Sequence, residues 1–540
     1  MFFILYCAGL NAVAIFLSNQ NHSITMKKIL VLSAIFFVSF FSVSAQQKKE
    51  MFPSARIDNS LDSAVVNYKK QQRSITYGSV TVEGKSINYE AASGSLVFKN
   101  AQDTPLISMS YVAYFKRDDD PTQRPLTFIY NGGPGSATIW LHMGAWGPQR
   151  VYIADTSRTK APYKTVNNDY SLLDASDLVF IDAPGTGFGQ VITKDLGGAG
   201  SNKDFFGIDQ DGEAFASFIT KFLSDYNRWN SPKYLFGESY GTFRSAVVAN
   251  LLSNRGVGLN GVILLSQLLN YGNMTEMTTE NPGDGLPFEL ILPSYAATAW
   301  YHHKLPNQPA QLEPFLGEVE NFALNEYAAA LNKGAALDQA SFNQIADKLH
   351  QYTGLPVDYI RKANLRIIGP QFEQTLLGDS SKITGRLDAR FSGAAIDPLS
   401  EYAQYDPMDS YIDAAFTATF NNYVRTTLKY GTGMNYKTFG NVNPWDFKRN
   451  GYVGFPNVIN DLAQAMIYNP DMKVMLNMGY FDLGTPYFEG VYEMQHLPIP
   501  AALQKNIEYA KYYSGHMVYL HPESLKLLHD NVAKFINSSH

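Results

Sequence analysis

The segment spanning residues 234–241 constrains this chain more than any other part of the sequence. The apolar run YLF at 234–236 is followed by GESYG at 237–241, and residues 242–252 have the composition of a helix. In a strand, Gly-x-Ser-x-Gly, helix unit, the turn is so tight that side chains flanking the Ser would collide with neighbouring elements. The Ser hydroxyl is then exposed, and the adjacent N–H groups at the helix N-terminus favour developing negative charge. The pattern predicts a nucleophile at Ser239, although five residues alone also fit a glycine-rich turn with a bystander Ser.

Three further segments supply what a serine nucleophile needs, which is a base, an orienting acid and donors for an oxyanion. Asp482 follows the apolar run KVMLNM at 473–478, at the end of a predicted strand where ligand-facing groups lie in open α/β sheets. His516 precedes a predicted terminal helix at 522–535, and NGGPGS at 131–136 follows the predicted buried strand 125–130. A loop or capping Asp and an ordinary surface His are the alternatives. The order Ser, Asp, His predicts an α/β fold of the α/β-hydrolase type.

Taken together, these segments resemble the serine carboxypeptidases, peptidase family S10. The matching segments are NGGPG at 131–135, DAPGTGF at 182–188, GESYG at 237–241, Asp482 and GHM at 515–517. The resemblance implies an α/β-hydrolase fold with a mixed, mostly parallel sheet and an inserted helical cap. It also implies a set of site residues and no cofactor. These are the nucleophile Ser239, the base His516, the acid Asp482, the oxyanion-hole N–H groups of Gly133 and Tyr240, and Asn131 and Glu238 as ligands of a peptide's C-terminal carboxylate.

Glu238 carries a chemical expectation of its own. An ionised carboxylate beside the nucleophile repels an anionic substrate, whereas a protonated carboxyl donates a hydrogen bond to it. Burial next to a second negative charge raises the pKa of a carboxyl group. We therefore expect peptidase activity to be favoured at acidic pH and to fall as Glu238 ionises. The alternative is that Glu238 is a tolerated residue at the variable position of the turn.

Departures from the family pattern keep other specificities open. Ser136 stands where the family usually has Cys, and LGTP at 483–486 follows Asp482, which suggests a bacterial branch. Ala145 stands where the family usually has a second Glu that partners the first. A serine esterase, an acyltransferase or another peptidase on the same triad is therefore an alternative. A non-catalytic secreted binding protein is a third reading, which a complete triad disfavours.

The N-terminal segment predicts export. Lys27 and Lys28 precede the apolar stretch 29–43 and the small-residue site VSA at 43–45, which together are typical of a signal peptide. The single cysteine is Cys7, so a chain starting at Gln46 has none, and we expect a bacterial periplasmic or extracellular location. The formal net charge of -6 becomes about -8 without residues 1–45, and no basic block favours nucleic acid. We expect no metal site and no membrane span in the mature chain.

The chain divides into six predicted segments. Residues 1–25 are an upstream start-codon artefact, 26–45 a signal peptide and 46–73 a polar leader. Residues 74–270 and 451–540 form the hydrolase core, and 271–450 form a helical cap over the site. Antiparallel strands are predicted at 79–82, 95–98 (after a turn at 93–94) and 108–115. Parallel strands are predicted at 126–130, 178–182, 234–236, 261–265 and 473–478, with covering helices at 209–226 and 243–252 and cap helices at 314–332, 338–353 and 358–364. The cap aromatics line the substrate pocket or form the cap's own core: Tyr295, Trp300, Tyr301, Tyr423, Tyr430 and Trp445.

Overall fold

A computed structural model describes residues 68–449, 451 and 454–539. The predictions for residues 1–45, and those for the polar leader up to residue 67, lie outside the described residues. The strands are β1 (Arg73–Val82), β2 (Lys85–Lys99), β3 (Pro105–Lys116), β4 (Leu126–Tyr130), β5 (Gln149–Val151), β6 (Thr165–Asn167), β7 (Asp177–Ile181), β8 (Gln190–Val191), β9 (Lys233–Glu238), β10 (Gly261–Leu265), β11 (Lys382–Thr384), β12 (Ser392–Ala394), β13 (Lys473–Gly479) and β14 (Ile507–Tyr512).

The main sheet is mixed and mostly parallel. Its strands lie in the order β1-β2-β3-β7-β4-β9-β10-β13-β14, and β8 pairs with β3. The pairs from β1 to β7 are antiparallel, and the pairs from β7 to β14 are parallel. The loops that follow β4, β9 and β13 therefore leave the sheet at the same edge, where an open α/β sheet carries its ligand-binding groups.

The α-helices flank this sheet or form the insertion between β10 and β13. The flanking helices are α1 (Ile208–Asp225), α2 (Tyr240–Asn254), α11 (Tyr487–Gln495) and α12 (Pro522–Ser538). The insertion contains α3 (Leu286–Tyr301), α4 (Leu312–Phe322), α5 (Ala328–Lys333), α6 (Gln339–Thr353), α7 (Val357–Lys362), α8 (Gly369–Thr375), α9 (Pro407–Thr426) and α10 (Ile459–Tyr468). None of the described helices is long and apolar enough to cross a bilayer.

Alternation along the buried strands builds a core on each face of the sheet. In β10, Val262 and Leu264 belong to one core and Ile263 and Leu265 to the other. Successive strand side chains point to opposite faces, so fully apolar strands need cover on both. Helices α1, α2 and α10 contribute to the first core, and α9 and α12 to the second. This two-sided packing fixes the loops at the strand ends.

The structure confirms the predicted antiparallel entry, the five parallel strands and the two covering helices. The turn predicted at Ser93 and Gly94 is wrong, because both residues lie inside the continuous strand β2, paired with β1 and β3. The parallel edge strand β14 was not predicted. The long helix α9 was not predicted either.

Among the cap aromatics, Tyr295 stacks on Phe372 with ring centroids 4.1 Å apart and belongs to the insertion's own core. Tyr423 is buried, and its hydroxyl lies 3.1 Å from that of Tyr114 in β3. The ring of Trp445 meets Tyr240 edge to face at 5.6 Å. The first two of these side chains therefore serve packing.

Candidate active site

Ser239 occupies a strained turn between β9 and α2. Its φ is 62° and its ψ is -131°, a region that a residue with a side chain adopts only when the surrounding structure enforces it. A Cβ on Gly237 would lie 2.2 Å from the carbonyl oxygen of Gly241, so the flanking glycine is required by close approach of backbone. Glu238 and Tyr240 are buried whereas Ser239 is partly exposed, which presents its side chain at the sheet edge.

Asp482 and His516 form a buried pair at the same edge. His516 Nδ1 lies 2.7 Å from Asp482 Oδ2. The Oδ1 atom of Asp482 accepts from the N–H groups of Gly484 and Thr485 at 2.8 and 2.9 Å, and the Thr485 hydroxyl donates to Oδ2 at 2.6 Å. These donors fix the carboxylate, and Asp482 in turn fixes the imidazole so that its Nε2 atom is left to act on a substrate.

The charges around His516 favour its protonated form. Burial lowers the pKa of His516, but the Asp482 charge, its hydrogen bond and the Glu238 carboxyl outweigh burial and raise the pKa above its ordinary value. The imidazolium that forms when a base takes a proton from a nucleophile is stabilised by the same groups.

The loops carrying Ser239 and His516 meet at the end of β10. The Ser239 N–H donates to the Leu265 carbonyl at 3.0 Å. The next residue, Ser266, donates its hydroxyl to the His516 carbonyl at 2.6 Å. Within the described part of the chain, the Ser239 side chain makes no hydrogen bond. Catalytic hydrogen bonds of this kind are often long in an unliganded enzyme and tighten around substrate.

The loop after β4 packs directly on the start of α2. A Cβ on Gly132 would lie 2.4 Å from the Tyr240 nitrogen, so this backbone approach requires glycine. Gly133 has a φ of 108°, which also favours glycine. Arg244 of α2 donates to the Asn131 carbonyl at 2.7 Å and is itself held by the buried Asp211 at 2.6 Å. The structure thus brings Gly133 and Tyr240 to one place, and the Tyr240 N–H lies in the first turn of a helix, where no helical carbonyl accepts it.

Asn131 and Glu238 are paired beside the nucleophile. The Asn131 side-chain amide donates to Glu238 Oε1 at 2.9 Å, and both residues are buried. Asn131 Oδ1 accepts from the Leu141 N–H at 3.1 Å, which fixes the orientation of the amide. Burial raises the pKa of Glu238 to about 7, against the opposing effects of His516 and the hydrogen-bonding side chains. A large fraction of Glu238 is therefore protonated at neutral pH.

Sequence reasoning missed the residues that hold this site. Thr485, Ser266 and Arg244 make the contacts given above. The insertion contributes the Leu387 carbonyl, which accepts from the His516 N–H at 2.7 Å. Only the short spacing of Thr485 from Asp482 carried a signal in the sequence, because a hydroxyl three residues after an Asp commonly forms a local hydrogen bond.

Comparison with known proteins agrees with this geometry. A family model described as serine carboxypeptidase, peptidase family S10, matches residues 84–278. The match supports the serine carboxypeptidase family. The matched segment contains the loop after β4 and the Ser239 turn and ends before Asp482 and His516. No curated protein matches the chain.

Solved structures show the fold. The prohormone-processing carboxypeptidase Kex1Δp from Saccharomyces cerevisiae is 16% identical, with 84% of this chain and 91% of that chain covered and a TM-score of 0.52. A soluble variant of monoglyceride lipase from Saccharomyces cerevisiae is 10% identical, covers 82% and 94%, and has a TM-score of 0.34. A thermostable carboxyl esterase from Bacillus coagulans is 13% identical, covers 87% and 99%, and has a TM-score of 0.33. The chain has the α/β-hydrolase fold.

Proposed function

We propose that this protein is a serine carboxypeptidase that removes C-terminal residues from peptides through an acyl-enzyme. The observation that carries the proposal is the buried Asn131–Glu238 pair directly beside Ser239, at the edge where Asp482 and His516 are hydrogen-bonded at 2.7 Å. A triad alone supports a serine hydrolase, and a neutral donor pair beside it supports recognition of a free carboxylate.

The geometry supports the following sequence of steps. Ser239 Oγ attacks the scissile carbonyl carbon while its proton passes to His516 Nε2. The carbonyl oxygen becomes an oxyanion that accepts from the N–H groups of Gly133 and Tyr240. When this intermediate collapses, the C–N bond breaks and the proton passes from His516 to the leaving amine, which departs as the C-terminal amino acid. Water then gives a proton to His516 and attacks the ester, and the proton returns to Ser239 as the shortened peptide leaves.

Recognition of the C-terminus explains an acid preference. Protonated Glu238 donates to the substrate carboxylate, whereas ionised Glu238 repels it, so substrate binding weakens as pH rises through the Glu238 pKa of about 7. Neutral His516 is the form that takes a proton from Ser239. The His516 pKa is raised, so its protonation limits the reaction on the acid side. The expected profile of kcat/KM is a bell with these two limbs.

A second specificity is favoured by Ala145, which is fully buried and has no carboxyl to partner Glu238. The same triad would then serve an esterase, an acyltransferase or a peptidase that does not need a free C-terminus. Such an enzyme would turn over blocked and free substrates equally.

The proposal is tested by mass spectrometry of an N-blocked pentapeptide with a free C-terminus, incubated with the purified protein. We expect stepwise loss of single C-terminal residues, abolished by Ser239→Ala, and covalent labelling of Ser239 by a fluorophosphonate. Internal cleavage, or labelling with turnover of esters alone, would support the second specificity. Absence of both labelling and turnover would contradict a serine hydrolase.

We further propose export to the periplasm or outer surface of a bacterium, with the first 45 residues removed. The basic residues at 27–28, the apolar stretch and the small-residue site at 43–45 support it. Mass spectrometry of the protein isolated from its native cell should give Gln46 as the first residue, and retention of the apolar segment would contradict cleavage.

A further inference from the structure

Tyr519 stands against the Asn131–Glu238 pair without being explained by the mechanism above. It lies three residues after His516, in a turn that leads into α12, and is 4% exposed. A Cβ on Gly144 would lie 2.5 Å from a carbon of the Tyr519 ring. The ring therefore fits only because the residue before Ala145 is glycine.

The hydroxyl of Tyr519 and Oε2 of Glu238 are both buried, and neither makes a hydrogen bond of normal geometry. The two groups are nevertheless close enough that Glu238 raises the pKa of Tyr519 and Tyr519 lowers that of Glu238. Asn131 is the third polar group that acts on Tyr519. A buried polar group without a partner costs about 1–3 kcal/mol, so two at one place indicate a ligand that satisfies both.

The chemistry of these three groups selects the ligand. Burial raises the pKa of Tyr519 well above its ordinary value, so its hydroxyl is a neutral donor at every working pH. The Asn131 amide is neutral, and Glu238 is neutral below pH of about 7. Three neutral donors beside a nucleophile suit an anionic acceptor such as a carboxylate, whereas an ammonium group would need ionised acceptors.

We propose that the Tyr519 hydroxyl is a third donor to the C-terminal carboxylate of the peptide, together with Asn131 and Glu238. It takes the place of the acidic partner that Ala145 cannot supply, and Gly144 makes room for its ring. This assignment rests on the proposed carboxypeptidase function. It predicts that specificity for a free C-terminus depends on one hydroxyl group that lies outside the triad.

The test is Tyr519→Phe, which removes the hydroxyl and keeps the ring. One N-blocked dipeptide is assayed as the free acid and as the C-terminal amide, and the ratio of the two kcat/KM values is compared with that of the unsubstituted protein. We expect the ratio to fall by about 10- to 100-fold, through a higher KM for the free acid, with turnover of the amide unchanged. Tyr234→Phe is the matched control, because its hydroxyl donates to a backbone carbonyl of α12 at 3.0 Å.

A second readout separates binding from structure. Glu238 faces His516, Asp482, Asn131 and Tyr519, and Tyr519 lowers its pKa. In Tyr519→Phe the alkaline limb for the free acid should therefore move to higher pH, while the rate of fluorophosphonate labelling stays unchanged.

The proposal is overturned by an unchanged ratio of free acid to amide, or by an equal fall for both substrates, which would mean that Tyr519 only supports the fold or His516. If the unsubstituted protein itself shows no preference for the free acid, the carboxypeptidase function fails first, and this assignment fails with it.

Discussion

At the residue scale, Thr485 is the clearest case of a side chain that acts through a neighbour. Its hydroxyl donates to Asp482 Oδ2 at 2.6 Å, beside the hydrogen bond between Asp482 and His516. A hydrogen bond to a charged group contributes about 1.5–3 kcal/mol, so Thr485→Val should lower kcat by roughly 10- to 100-fold with little change in KM. Thr485→Ser keeps the hydroxyl and should restore most of kcat. Equal kcat values in the two variants would contradict the assignment.

Glu238 gives a prediction about pH. In the unsubstituted protein, kcat/KM for a free-acid substrate should fall about tenfold per pH unit above the Glu238 pKa of about 7, because ionised Glu238 repels the substrate. Glu238→Gln should remove this alkaline limb and keep the acid limb of His516. Glu289→Gln is the control, because burial also raises the pKa of Glu289 to about 7 but it lies in α3 of the insertion. An alkaline limb that survives in Glu238→Gln would contradict the role.

Individual residues of the candidate site could be predicted where a motif fixes both residue type and spacing. Ser239 and Gly133 follow apolar strands at short, constrained turns. Tyr519 could not be predicted, since the run MVYL at 517–520 reads as ordinary core and only the packing of its ring on Gly144 shows its position. The roles of the site residues stay predictions until they are measured.

At the scale of elements, the unit formed by β9, the Ser239 turn and α2 depends on Gly237. Gly237→Ala would place a Cβ 2.2 Å from the carbonyl oxygen of Gly241, which is backbone and cannot move independently of the helix. We expect a loss of about 1–3 kcal/mol in the free energy of unfolding and a loss of activity. Gly258→Ala is the matched control, because its Cβ would meet nothing within 4 Å. Urea unfolding measures both, and similar stabilities would contradict the account.

Elements could be predicted where every residue of a strand is apolar, as in β4 and β10. The edge strand β14 escaped prediction because only its two ends, Ile507 and Tyr512, are buried. Ser93 and Gly94 suggested a turn, but pairing with strands on both sides keeps them extended. Neighbouring strands, rather than local preference, decide the conformation at such positions.

At the scale of the whole molecule, the insertion and the His516 loop are joined by a buried ion pair. Asp388 accepts from the Gly515 N–H at 3.2 Å and pairs with Arg390 at 2.6 Å. Asp388→Asn weakens these charged hydrogen bonds, each of which contributes roughly 1.5–3 kcal/mol, so the urea midpoint and kcat should fall together. Asp347→Asn is the control, because its ion pair with Arg361 is exposed and should contribute less than about 1 kcal/mol. Loss of stability without loss of kcat would contradict a shared support.

The architecture of the whole molecule could be predicted from the order of apolar strands and from the chain order of Ser239, Asp482 and His516. The arrangement of the insertion could not. Helix α9 joins the core on one face of the sheet, where Phe416 packs with Trp140 at 5.1 Å. The sequence of α9 shows an amphipathic helix at most and does not show which surface its apolar face covers.

The central claim is that this protein reads a free C-terminus through a neutral pocket beside a serine nucleophile. The most direct measurement is the kcat/KM of the purified protein at pH 6 for one N-blocked dipeptide as the free acid and as the amide, with Ser239→Ala as the blank. We expect the free acid to be preferred by about 100-fold or more, because the carboxylate accepts several hydrogen bonds that the amide cannot reproduce. Equal turnover of the two substrates, or turnover that persists in Ser239→Ala, would contradict the claim.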